Sequence, residues 1–485
     1  MLTDLSFLKI GSVFPPEDKD CCERLKRYAI NRKIFEGKHA DVYEHQFKRI
    51  ERVIGNFGDV ISYPIIMNYQ KLISLKVADM LFGEFPSITA GEDDSPEYNS
   101  IEQMIENSDL INTLYESAID VSRYGDGILY VYLDDGKGCI DVSQPSMWFP
   151  VVSMDNMKKV LYHVLGWMYE IGEDKYVKFQ VHEKGSYEEI VYKLDGSKIG
   201  KMCLVKLIST NSITTGLDDF AIVHVPNIMT SDRCTGLDDY TDIDSIISEL
   251  LIRVGQISRV LDKHAAPSVS GPSTALEKDP TSGEWKLKMG NYFPRDSADE
   301  PTVEYVTWDG QLESSFKQIE VLINALYIIS EMGAILLGDT DKMGNAVSGT
   351  ALRLKMMSPL AKVKRIAMRY TPAIKKALKL CSQLGGEGIV DISASDISIT
   401  WQDGIPNDNV ETANIMNVRT GAKATMSVKR ALMMYDGMSS DDADTELGLI
   451  QDEDAMANPM MDIGAGIGVA AKDTGKAKDK SGGAD

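Results

Sequence analysis

The chain has 485 residues, with 73 acids against 51 bases and a formal net charge of −22. It exceeds the roughly 250–300 residues at which a single core stops growing, so several domains are expected. So acidic a chain does not suit a free nucleic-acid binder, which gains affinity by neutralising phosphates, although like charge can keep a particle soluble and off DNA.

The first part, to about residue 125, reads as mostly helical. In "YPIIMNYQKLISLKVADMLFGEFP" the apolar residues recur at helical spacing. Pro64 suits the first helical position, Gly83 ends the helix and Pro86 prevents its return. In "LINTLYESAIDVSRYG", Leu110, Leu114, Ala118 and Val121 share one face, with Gly125 as the stop. From Gly127 to Val225 the period becomes two, and Gly and Asp-Gly punctuate the runs, as in an antiparallel meander.

Two long helices are expected next. Ile243, Ile246, Ile247, Leu250, Val254, Ile257 and Leu261 mark the first. Leu312, Phe316, Ile319, Leu322, Leu326, Ile329, Met332 and Ile335 mark the second. At the α-helical rise each would be about 35–40 Å long. Between them lies a proline-rich stretch with strand-like pieces, "EWKLKMG" and "TVEYVTW", read as a compact β-rich insertion. The polar loop "GDTDKMGNAVSG" follows the second helix.

Between Asp341 and Glu387 there is no Asp or Glu, yet the interval holds ten Lys and Arg residues. Pro359 and Pro372 fall inside its helical pattern and should kink or interrupt it. A strand is expected before "WQDGIPND". Three capped helices follow: Asp408 with Glu411 to Gly421, Ser427 to Gly437, and Ser440 onward. The final Gly-, Ala-, Lys- and Asp-rich stretch has no core-forming pattern and reads as disordered.

Chemistry-bearing motifs are weak. The six cysteines lack C-x-x-C spacing, which argues against a disulfide framework and a zinc site and for a reducing compartment. The N-terminus has Asp4 and no cationic lead-in, unlike a signal peptide. The run 319–337 is interrupted by Glu320, Asn324, Ser330 and Glu331, so no membrane span is expected. "DTGKAK" lacks the leading glycine of a phosphate-binding loop, and "DTDKMGN" has Thr350 where a calcium loop needs Glu. His163, His182 and His224 fall into strand patterns and read as ordinary strand histidines. No catalytic residue, metal or cofactor is indicated.

The landmarks are "VADMLFGEFPSI" (77–88), "SRYGDGILYVYLDDG" (122–136), "PSMWFPV" (145–151), "SGTALRLK" (348–355) and "WQDGIPNDNVETANIMNVRTG" (401–421). Their order resembles the portal proteins of long-tailed bacteriophages. The resemblance implies an α+β portal fold with a helical and β-rich wing (1–236), stem helices (237–264 and 310–337) and a small α/β clip (265–309). It also implies a tunnel loop (338–349), a long basic helix with wing return (350–404), a helical crown (405–455) and a disordered tail (456–485). It further implies a ring at one capsid vertex of the virion, commonly of about twelve copies, that passes double-stranded DNA. Terminase motor, head-completion or adaptor protein, major capsid and scaffolding proteins are the implied partners.

On the same resemblance, Asp339, Asp341, Lys342 and Asn345 would face DNA in the loop, or Lys342 would pair with a loop Asp of the adjacent subunit. Trp285, Tyr292, Phe293 and Trp308 would dock partners on the clip, since aromatics dominate interfaces, or would fill the clip core or its contact with the next clip. The basic helix stays open between three roles. Its Arg353, Lys355, Lys362, Lys364, Arg365 and Arg369 would meet acidic surface on a neighbouring subunit, face DNA, or form a solvated face worth little. Residues 387–485 offer such acidic surface, with 18 acids against 8 bases, a net of −10. A head–tail adaptor without a channel is the alternative.

Overall fold

Between Gly127 and Val225 the period of two produces strands, but in two antiparallel sheets instead of one meander. In this computed structural model the described residues are 1–48, 52–54, 59–61, 65–198, 201–265, 269–270, 276–278, 280, 283, 285–287, 299, 304–305, 312–338, 353–402, 409–421, 423–435, 438 and 440–457. The larger sheet has six strands, in the order Val13–Phe14, Lys201–Thr214, Ser186–Lys198, Asp174–Glu183, Val160–Ile171 and Trp148–Val152. The smaller sheet runs Ile222–Pro226, Asp126–Asp134, Lys137–Ser143. One face of the larger sheet closes over Phe7, Phe14, Phe149 and Phe179. The Phe14 and Phe179 rings meet edge to face at 5.0 Å, a favoured aromatic arrangement. Its other face meets the smaller sheet through Leu165, Trp148, Ile128 and Ile222.

The helix Leu110–Tyr124 buries Leu110, Leu114, Ala118 and Val121, the expected face, and stops at Gly125 with φ +87°. The expected start at Pro64 is corrected. That helix is Tyr69–Phe82, opened by the Asn68 side chain, which accepts from the Lys71 amide at 3.0 Å. A side-chain acceptor at this position is worth more than a proline's preset φ, since it satisfies an orphan donor. Asn68 also donates to the carbonyl of Ile34 at 2.9 Å, tying two helices together. Asn68→Ala should therefore cost about 1–2 kcal/mol, read as a lower urea midpoint.

The first long helix is Asp244–Ala265. The second, expected to continue to residue 337, ends at Ile329, and a separate turn of helix covers Gly333–Leu336. Of the insertion, Val269–Ser270 pairs with Glu304–Tyr305 and Leu276–Lys278 with Trp285–Leu287, so both strand-like pieces contain strand. The expected interruption at Pro359 and Pro372 does not occur, because one helix spans Met357–Leu384. Pro359 lies in the first turn, where the amide it lacks has no helical partner. Pro372 is exposed, as is Met368, the residue whose carbonyl it leaves without a helical amide.

Ile397–Thr400, the strand expected before "WQDGIPND", pairs with Ser87–Ala90. The chain divides into compact units Met1–Gly404 and Ile405–Asp485. The second unit holds helices Asn409–Thr420, Val428–Tyr435 and Ser440–Ala457, near the three expected positions. Asp408 and residues 458–485 lie outside the described residues. No described helix is long and apolar enough to cross a membrane.

Candidate functional site

The chain enters the first long helix through a tight backbone crossing. A Cβ on Gly236 would sit 1.9 Å from the carbonyl oxygen of Gly125, so only glycine fits there. Asp238 then accepts from the amides of Tyr240 (2.9 Å) and Thr241 (2.8 Å), fixing the turn before the helix. Arg27 grips this root from the side, at 3.1 Å from Asp238 and 2.6 Å from Asp244. Tyr43 donates to the other Asp244 oxygen at 3.1 Å. Burial raises the Asp244 pKa, although Arg27 pulls against it.

Asp239 sits at the centre of the root. One carboxylate oxygen meets Lys362 Nζ at 3.0 Å and the Asn227 amide group at 3.1 Å. The other accepts from Ser122 at 2.7 Å. The Lys362 and Asp239 side chains are only 4% and 3% exposed. Lys362 also donates to the Ser330 carbonyl at 3.1 Å, just past the end of the second long helix. Arg365, one turn on, pairs with Glu331.

The basic helix that supplies these cations is a core element on its other face. Ile366, Tyr370, Ile374, Ala377, Leu378 and Cys381 are buried, and Tyr370 donates to Ser117 at 2.9 Å. Near its C-terminal end Lys376 pairs with Asp219 at 2.7 Å, and Lys379 pairs with Asp218. Burial pushes the Asp219 carboxyl up, but its bonds to Lys376 and Lys184 prevail and hold it at about 2. The long helices leave large apolar side chains in water: Leu261 on the first, and Phe316, Val321 and Ile328 on the second, Ile328 being 76% exposed.

Residues 23–460 match the family model described as "Phage portal protein, SPP1 Gp6-like". The chain belongs to this portal family. The family is structural. Among solved structures, the portal chain is similar to the neck of a native gene transfer agent (GTA) particle computed with C12 symmetry (TM-score 0.42, 12% identity, covering 76% of this chain and 89% of that one). It is also similar to a chain of the native GTA virion (TM-score 0.42, 13% identity, 76% and 88% covered). A comparison with curated proteins found no match.

Lys362 of the portal chain requires a correction. It was expected to face a neighbouring subunit, DNA or solvent, but it is buried within its own chain. The root of the first long helix places Asp239 in the core, and that carboxylate needs an equally buried cation. Arg365 pairs within its own chain but stays partly exposed. Lys364 and Arg369 are exposed, as are Arg353 and Lys355. Trp285 lies in a described strand. Tyr292, Phe293 and Trp308 lie outside the described residues, as do Asp339, Asp341, Lys342 and Asn345. The Asp239 and Arg27 networks went unforeseen. Their only sequence signal is the acidic run Asp238, Asp239, Asp242 and Asp244 before an apolar helix.

Proposed function

We propose that this portal chain closes into a ring of about twelve copies at one capsid vertex and that double-stranded DNA enters and leaves through its channel. The observation that carries this is the family match over residues 23–460. The exposed apolar side chains on the two long helices support it, since a head-to-tail contact repeated around a ring would cover them. In this reading 237–264 and 310–337 are the stem, 265–309 the clip, 338–349 the tunnel loop and 405–455 the crown. The chain is a conduit and not an enzyme. The terminase motor and then the head-completion or adaptor protein dock on the clip, where Trp285, Tyr292, Phe293 and Trp308 are the anchors. Major capsid and scaffolding proteins surround the ring.

Native mass spectrometry and negative-stain imaging of the purified chain should give a closed homo-oligomer with a central hole. A monomer at every salt and protein concentration would refute the ring. Solid oligomers without a hole would favour an adaptor. Lys342 is the loop's cation, and we assign it the phosphate contact, which Asp339 and Asp341 weaken by repelling the backbone. Lys342→Glu should leave rings intact and alter packaged DNA length or retention more than Lys342→Ala does. Unchanged packaging and retention in both would remove Lys342 from the DNA path.

A further inference from the structure

The second long helix breaks at a weak point in its sequence, Gly333, whose φ is +68°, but a single glycine in a helix costs only about 1 kcal/mol and does not by itself end one. The helical spacing of Leu326, Ile329, Met332 and Ile335 runs straight through, and no proline intervenes. Yet the helix ends at Ile329 and restarts at Gly333. Between them Glu331 has φ +60°. The other described non-glycine residues at positive φ are Asp94, Asp109 and Asp135, a type whose short side chain tolerates that region; glutamate does not share the advantage. Glu331 therefore holds a strained backbone that something else must stabilise.

Two cations of the basic helix supply that stabilisation. Lys362 Nζ donates to the Ser330 carbonyl at 3.1 Å, an oxygen that an unbroken helix would pair with the amide four residues on. Arg365 holds the side chain of Glu331 itself. Lys362 and Arg365 are three apart, so both act from one face of the same helix.

We propose that residues 330–333 form a two-state joint in the second long helix, held in its broken state by Lys362 and Arg365. In the other state the helix continues through Leu336. Because Lys362 is anchored at the same time on Asp239, the joint is referenced to the root of the first long helix. A displacement of the basic helix would then change the direction in which the chain leaves Leu336 and reaches Gly338. The proposal rests on the single subunit and not on ring formation.

Hydrogen–deuterium exchange on the full chain tests it. In the broken state the Met332 amide reaches, among the described residues, the Ser330 hydroxyl at 3.4 Å. A continuous helix would give the amides of residues 332–335 full carbonyl partners. Glu331→Ala disfavours positive φ and frees Arg365, so exchange at 332–335 should slow by about tenfold. Glu331→Gly accepts positive φ, so exchange there should stay as in the parent or quicken. Lys362→Met with Asp239→Asn removes both buried charges and should slow exchange as Glu331→Ala does. Glu331 is partly exposed, so its two variants keep the test informative if the buried pair fails to fold. Equal shifts in the Ala and Gly variants, or faster exchange in the Ala variant, would overturn the joint.

Discussion

Lys362→Met should destabilise the first unit by about 3–5 kcal/mol, the cost of breaking a buried ion pair from one side. Asp239 would keep its charge in a site that is 3% exposed. The Ser330 carbonyl would lose its Lys362 donor as well. Urea unfolding followed by tryptophan fluorescence is a direct measure, since Trp148 is fully buried in the same unit. Adding Asp239→Asn should restore part of the loss, because the neutral amide needs no counter-ion. Arg365→Met is the contrast. Its pair with Glu331 leaves side chains 43% and 39% exposed, so the change should cost only about 0–1 kcal/mol. If Lys362→Met cost no more than Arg365→Met, water would be reaching Asp239 and the root would not be the closed network described.

Acid should unfold the first unit through histidines buried between its sheets. His182 is fully buried, and neither ring nitrogen has a hydrogen-bond partner among the described residues. It lies against Tyr187 at 4.9 Å and Tyr130 at 5.6 Å. Burial lowers its pKa to about 4, against a small opposing pull from Glu189. His163, its cross-strand partner, accepts from the Trp148 indole at 3.0 Å. Burial lowers it to about 3, with His224, Lys376 and His182 adding to the effect and Asp219 opposing it.

In the unfolded chain both would titrate near 6.5. Below that pH the unfolded state binds protons that the folded state refuses. Stability is therefore complete above about pH 6.5 and falls as pH drops toward about 4 for His182 and about 3 for His163. The His182 share reaches about 3 kcal/mol at the acid end. His182→Leu removes an unpartnered imidazole at similar volume. It should leave stability at pH 7.5 unchanged or raised, and its thermal midpoint should fall less between pH 7 and pH 4.5 than the parent's does. Parallel pH curves for the two proteins would show that His182 is not what acid attacks.

Much of the fold was legible because it rests on local periodicity. The helix ending at Gly125 and the antiparallel strands were readable because their apolar residues alternate with the period of the element they form. The three helices of the second unit carry cap signals in their sequence, of which Ser427 accepts from the Arg430 amide at 3.3 Å, so their approximate positions were readable too. The start of the helix Tyr69–Phe82 was misplaced because Pro64 and Asn68 both signal a start, and only the contact of Asn68 with Ile34 and Phe35 decides between them. The strand histidines were recognised as such, but the lack of any partner for His182 depends on how two sheets meet.

The sequence by itself determined the family, since landmarks spread along the chain keep their order whatever the side chains touch. It also determined the class of most elements, because hydrophobic period is a local property. Only the tertiary structure decided what the acid-free basic segment does. Charge along a sequence does not show which cation meets which carboxylate, and here Lys362, Arg365, Lys376 and Lys379 all find partners in their own chain. The same holds for the break at Ser330. Its apolar spacing runs on with Gly333 as the local weak point, and a donor from a residue 32 positions away takes the Ser330 carbonyl, the same oxygen that a straight helix would use.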